Sequence, residues 1–128
     1  MVETKKILKI ILIEEEREAR DVYGQILKDA GFKYDEASDG GEAEEKLKQK
    51  KYDIVILDVF LPMKDGLEVL QDMKKEPDKF GTPRVILLTN VEGDFFKKRA
   101  FELGADMYLL KSLTEPEDLI EAINSLKN

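Results

Sequence analysis

Four places along the chain put a reactive side chain at the end of an apolar run. Residues 7–13 lead into Glu14, Glu15 and Glu16, and residues 54–57 into Asp58. Residues 85–88 lead into Thr89, and residues 107–110 into Lys111. Brought together, these would be clustered carboxylates, one hydroxyl and one ammonium. Carboxylates packed side by side are unfavourable unless a cation or a proton shares them. A hard divalent ion is the natural partner, and Mg²⁺ usually takes one or two carboxylates plus water and phosphate. Lys111 would add positive charge and Thr89 a hydrogen-bond donor. These are the parts needed to stabilise a phosphoryl group on a carboxylate, by positioning and charge neutralisation. The chain contains no histidine and no cysteine. Imidazole bases, imidazole phosphocarriers, thiolate metal sites and disulfides are therefore excluded.

Two hydrophobic patterns alternate around these positions. Residues 7–13 form a short, β-branched, nearly continuous apolar run, as in a strand buried on both faces. Ala19, Val22, Tyr23, Ile26, Leu27 and Ala30 then recur at helical spacing, with Gly31 as the stop. Residues 32–37 read as a more polar strand at a sheet edge. Asp39 and Glu42 make a D-x-x-E cap before Ala43 and Leu47. Residues 54–59 are the next apolar run. Pro62 breaks the chain, and Leu67, Leu70 and Met73 mark a third helix ending before Pro77. Residues 85–88 are a fourth strand; Phe96, Ala100 and Leu103 mark a fourth helix closed by Gly104. Residues 107–110 are a fifth strand, and Thr114 with Glu117 read as a capping box for the last helix, along Leu119, Ile123 and Leu126.

Five strands alternating with five helices predict an α/β fold, a doubly wound parallel sheet with helices on both faces. Right-handed crossovers leave few topologies, and the flavodoxin-like order 2-1-3-4-5 is the expected one. Ligands in such sheets bind beyond the carboxyl ends of the strands where the order reverses, here between the first and third strands. That rule places Glu14 to Glu16, Asp58, Thr89 and Lys111 in one crevice.

Bulk properties narrow the function further. The 128 residues fit a single domain spanning 1–128, long enough for a sizeable core. A net charge of -7 argues against direct nucleic-acid binding, which needs a basic footprint. The apolar runs are too short to span a bilayer and the start is wrong for a signal peptide, so a cytoplasmic location is expected. The small basic run Lys97, Lys98, Arg99 reads as a solvated helix face.

Four stretches carry a family resemblance: Ile11-Leu12-Ile13-Glu14-Glu15-Glu16, Val55-Ile56-Leu57-Asp58-Val59-Phe60-Leu61-Pro62, Ile86-Leu87-Leu88-Thr89-Asn90, and Gly104-Ala105-Asp106-Met107-Tyr108-Leu109-Leu110-Lys111. In order and spacing they resemble the signatures of response regulator receiver domains of two-component signal transduction, over essentially the whole chain. The resemblance implies that Asp58 accepts a phosphoryl group from a phosphohistidine on a sensor histidine kinase or phosphotransfer protein. It implies Mg²⁺, with Mn²⁺ as a substitute, held by Glu14, Glu15, Asp58 and the Phe60 backbone carbonyl. Thr89 and Lys111 would hold the phosphoryl oxygens, and the Tyr108 ring would turn inward when the threonine moves. The face of the fourth helix, fifth strand and fifth helix would bind a downstream protein, an attached output domain or a second copy of the chain. The implied activity is that of a phosphoacceptor assisting its own phosphotransfer and dephosphorylation, not of a conventional enzyme.

Plainer roles stand beside these. Asp58 can cap a turn, the three glutamates can favour a helix N-terminus, and Tyr108 can be packing in the sheet. Three residues also depart from the family pattern. Glu15 stands where aspartate is usual, and its extra methylene moves the carboxylate out by about 1.5 Å, against the tight geometry of Mg²⁺. Ser112 follows Lys111 where a cis proline is usual, and a cis bond there would cost about 2.5–4 kcal/mol, which favours trans and a shifted Lys111. Asn90 follows Thr89 where a small residue is usual and would crowd the crevice. These departures leave open a degenerate receiver acting as a phosphate-independent interaction module. A small-molecule binder or phosphotransfer enzyme is disfavoured, since no glycine-rich loop follows the first strand.

Overall fold

The computed structural model describes residues 7–127. Its elements alternate as β1 (Ile10–Ile13), α1 (Arg17–Asp29), β2 (Tyr34–Ala37), α2 (Gly40–Gln49), β3 (Ile54–Leu57), α3 (Gly66–Lys75), α4 (Pro77–Phe80), β4 (Arg84–Thr89), α5 (Asp94–Glu102), β5 (Met107–Leu110), a 3₁₀ turn (Lys111–Leu113) and α6 (Pro116–Leu126). The strands form one parallel sheet in the order β2-β1-β3-β4-β5. The flavodoxin-like arrangement expected from the alternation is the one observed, with the polar strand β2 at an edge.

Alternating side chains of each strand feed two separate cores. Ile11, Ile13, Val55, Leu57, Val85 and Leu87 pack with α2, α3, α4 and α5 through Leu47, Leu70, Met73, Phe80 and Ala100. Ile10, Leu12, Ile54, Ile56, Ile86 and Leu88 pack with α1 and α6 through Leu27, Leu119 and Ile123. The central strands are thus apolar on both faces, which explains their continuous rather than alternating hydrophobicity. Each fully buried aliphatic side chain contributes about 1.5–3 kcal/mol.

Capping sets where the helices begin and end. Asp39 accepts from the Glu42 amide at 2.7 Å, opening α2 as predicted. Gly31 stops α1 with φ 86°; its amide bonds the Lys28 carbonyl and the Phe32 amide the Leu27 carbonyl, a Schellman closure. The last helix departs from expectation by one residue. Pro116, which suits the first helical position, makes Glu115 the cap residue, and the Asp118 carboxylate accepts from the Glu115 amide at 2.8 Å. Thr114 instead donates its hydroxyl to the Leu110 carbonyl at 2.6 Å. A second difference is α4, a short sixth helix whose Phe80 is buried. Pairing of β1 begins only at Ile10, so the strand is shorter than its apolar run, and Ile7 is exposed.

Candidate functional site

Register brings the reactive residues to one place. Ile13 pairs with Leu57, so Glu14 and Asp58 leave adjacent strands side by side, and the Asp58 amide donates to the Ile13 carbonyl at 3.2 Å. Leu57 pairs with Leu87, and Thr89 with Leu110, which sets Thr89 and Lys111 at the next strand ends. Among the described residues, the buried polar side chains are Glu14, Asp58 and Thr89. All three meet at this crevice. Buried polar groups persist only where partners satisfy them; here Thr89 bonds Asp58, and Lys111 bonds both Asp58 and Glu14.

Asp58 is the hub. Its Oδ1 accepts from the Thr89 hydroxyl at 2.7 Å and from the Phe60 amide at 3.2 Å. Its Oδ2 takes the Lys111 ammonium at 2.7 Å. The same ammonium bonds Glu14 Oε1, while Glu14 Oε2 accepts from the Glu16 amide at 3.0 Å. Burial raises Glu14 above the usual carboxylate range, against the lowering effect of Lys111 and the Glu16 amide. For Lys111, burial acts downward, but the Asp58 and Glu14 carboxylates outweigh it and the ammonium is held above its ordinary range. Both shifts follow from two carboxylates sharing one cation in a poorly hydrated corner.

The departures from the family pattern resolve unequally. No cis peptide occurs among the described residues, so the Lys111–Ser112 bond is trans as expected, and Lys111 still reaches both carboxylates. Asn90 is exposed, just past the buried Thr89. Glu15 is exposed and stands apart from the buried pair; no group of three acids able to hold a metal forms among the described residues. The donor chemistry nevertheless suits a hard cation. Two buried carboxylates against one ammonium leave one negative charge uncompensated, and two carboxylates with water are a sufficient protein contribution for Mg²⁺.

Several supporting residues carried no sequence signal. Arg20, one turn into α1, donates to the carbonyls of Glu14 and Glu15 at 2.8 and 2.9 Å, fixing the acidic turn. Gly66 starts α3 against the backbone of Asp58; a Cβ there would lie 2.0 Å from the Asp58 carbonyl oxygen. Val91 links the two residues expected to move. Its amide donates to the Thr89 hydroxyl oxygen at 3.3 Å, and its carbonyl accepts from the Tyr108 hydroxyl at 2.7 Å. Tyr108 is half-buried, packed on the core face that holds Phe96 and Leu103.

Comparison with known proteins gives this geometry a family. The model of the response regulator receiver domain matches residues 10–124. A gliding motility regulatory protein of Myxococcus xanthus is 34% identical over 121 residues, which are 94% of this chain and 15% of that protein. The chain therefore spans a small part of that relative's length. Among solved structures, a DNA-binding response regulator of the LuxR family from Staphylococcus aureus superposes with a TM-score of 0.85 at 28% identity, covering 94% of this chain and 99% of that one. The BeF3-activated N-terminal receiver domain of RstA from Klebsiella pneumoniae gives 0.84 at 28% identity, over 92% and 97%. By its matched sequence and by the fold that carries Asp58 to this crevice, the chain belongs to the response regulator receiver domain family of two-component signalling.

Proposed function

We propose that Asp58 is a phosphoacceptor, and that residues 1–128 act as one switch unit whose partner-binding face responds to its phosphorylation. The observation that carries this reading is the Asp58 carboxylate held between the Thr89 hydroxyl at 2.7 Å and the Lys111 ammonium at 2.7 Å. An Asp58 oxygen attacks the phosphorus of a phosphohistidine on a kinase or phosphotransfer protein; the new P–O bond replaces the P–N bond, and the imidazole leaves. Lys111 then neutralises a phosphoryl oxygen and Thr89 donates to another. Glu14, Asp58 and the Phe60 carbonyl, with Glu15 through water, would hold Mg²⁺ or Mn²⁺. Such an ion would offset charge on the transferring group.

Moving Thr89 toward a phosphoryl oxygen breaks its bond from the Val91 amide. Because Val91 also anchors the Tyr108 hydroxyl, that step couples Asp58 to β5 and the flanking α5 and α6. This face would engage a downstream protein, an output domain or a second copy. The protein works by differential binding of two conformers.

Incubation with acetyl phosphate and millimolar Mg²⁺ should add one phosphoryl group by intact mass. Beryllofluoride should shift the amide resonances of Val91, Tyr108 and their neighbours. Asp58→Asn should abolish both. A wild-type protein that gives neither response is not a phosphoacceptor but a phosphate-independent interaction module.

A further inference from the structure

A second knot of charge joins α2, α3 and the loop that follows β3. Lys64, in the loop of residues 58–65 between β3 and α3, sets its ammonium 3.2 Å from Glu44 Oε1 on α2 and 2.6 Å from Asp72 Oδ2 on α3. Two acids again face one base. The Glu44 side chain is only 12% exposed, and among the described residues its Oε2 is buried without a hydrogen-bond partner. A buried carboxylate oxygen with no donor is costly. A proton on Glu44 would relieve that cost by removing the buried charge.

The directions of titration agree with this. Burial, then the Asp72 hydrogen bond, holds Glu44 above the usual carboxylate range, with Lys64 opposing. The hydrogen bonds from Glu44 and Lys64 hold Asp72 below it, against a smaller opposing effect of burial, and Lys75 adds to the lowering. Lys48, one turn along α2 from Glu44, is engaged with Glu45 and the Phe80 ring instead.

The loop that Lys64 ties down is tightly built. The Gly40 amide of α2 bonds the Pro62 carbonyl at 3.3 Å, and a Cβ on Gly40 would lie 2.0 Å from the Lys64 carbonyl oxygen. Met63 sits at φ 71°, a left-handed conformation that a side chain tolerates only when its surroundings enforce it. The same loop carries the Phe60 amide that bonds Asp58.

We propose that Glu44 and Asp72, gripping Lys64 between them, form a clamp between α2 and α3 that positions the loop of residues 58–65 and so presents Phe60 to Asp58. Glu44 is in this sense a positioning residue. The consequence for phosphotransfer rests on the reading of Asp58 above; the ordering of the loop does not.

Amide hydrogen exchange followed by NMR on the full chain tests the clamp directly. Glu44→Leu should speed exchange at Phe60, Lys64 and Gly66 by about tenfold, the loss expected for one charge-assisted hydrogen bond, and leave α5 unchanged. Glu44→Gln keeps an oxygen to accept from Lys64 without the buried charge and should keep the protection. After correction for intrinsic exchange, wild-type protection should fall as pH rises and the proton leaves, while Glu44→Gln stays flat. Lys64→Met gives the same local loosening if Glu44→Leu does not fold. Unchanged loop exchange in both, or Glu44→Gln behaving as Glu44→Leu, overturns the clamp. Phosphoryl uptake from acetyl phosphate is read in parallel. A wild type that takes none while the exchange pattern holds refutes the Asp58 reading and leaves the clamp standing.

Discussion

At the scale of single residues, one crevice makes two opposite stability predictions. Glu14, Asp58 and Lys111 have side chains 4%, 9% and 10% exposed, and two negative charges share one positive charge. Glu14→Gln removes the surplus charge but keeps the shape and leaves Lys111 its bond to Asp58. The folded state already favours the uncharged form of Glu14, so removing its charge should stabilise the fold at neutral pH. Lys111→Met does the reverse, leaving two buried carboxylates uncompensated, and should cost about 3–5 kcal/mol. Urea unfolding at neutral pH reads both, and equal signs would sink the account. The pH dependence follows from the same charges. Glu14 is raised in the folded state, so the fold binds the extra proton and stability falls as pH rises from about 4.5 through the folded value. Lys111 is also raised, so its contribution is complete below about 10.5 and is lost as pH climbs through its folded value. Glu14→Gln should erase the first slope and weaken the second, since Glu14 is one of the two carboxylates that raise Lys111.

At the scale of elements, legibility in the sequence tracked how many residues repeat a pattern. The strands β1, β3 and β4 and the helices α1, α3 and α6 were readable because each repeats its period or apolar run over a full element. The four residues of α4 are too few for any period, so Pro77 read only as a stop. Phe80→Ala should nevertheless cost about 3–5 kcal/mol in urea unfolding, since Phe80 is 1% exposed and joins α4 to the core beneath α2 and α3. A cost below 1 kcal/mol would mean that α4 is dispensable. The site divides in the same way. Asp58, Thr89 and Lys111 were visible because their side chains do the bonding at strand ends. Val91 was not, because its amide and carbonyl make the links to Thr89 and Tyr108, and any residue supplies those atoms. Arg20 was hidden for a related reason, since its targets at Glu14 and Glu15 are backbone carbonyls.

At the scale of the whole molecule, the excess of acid matters for how a cation would be recognised. The chain carries 28 acidic and 21 basic residues, so any added salt screens self-repulsion and raises stability somewhat. A bound ion does something different. It stabilises by mass action, about 2.7 kcal/mol when its free concentration is one hundred times its dissociation constant. For a domain of this size that is roughly a 10 °C rise in melting temperature. Melting in millimolar MgCl2 should therefore exceed melting in NaCl of equal ionic strength, after treatment with a chelator. Asp58→Asn should shrink the difference, because it removes one of the two buried carboxylates. Glu15→Asp should enlarge it if the exposed carboxylate joins the ion through water, since the shorter side chain brings the group nearer the pair. Equal melting in the two salts would show that the uncompensated charge at Glu14 and Asp58 recruits no divalent ion. The ammonium of Lys111 would then be the only cation the crevice uses.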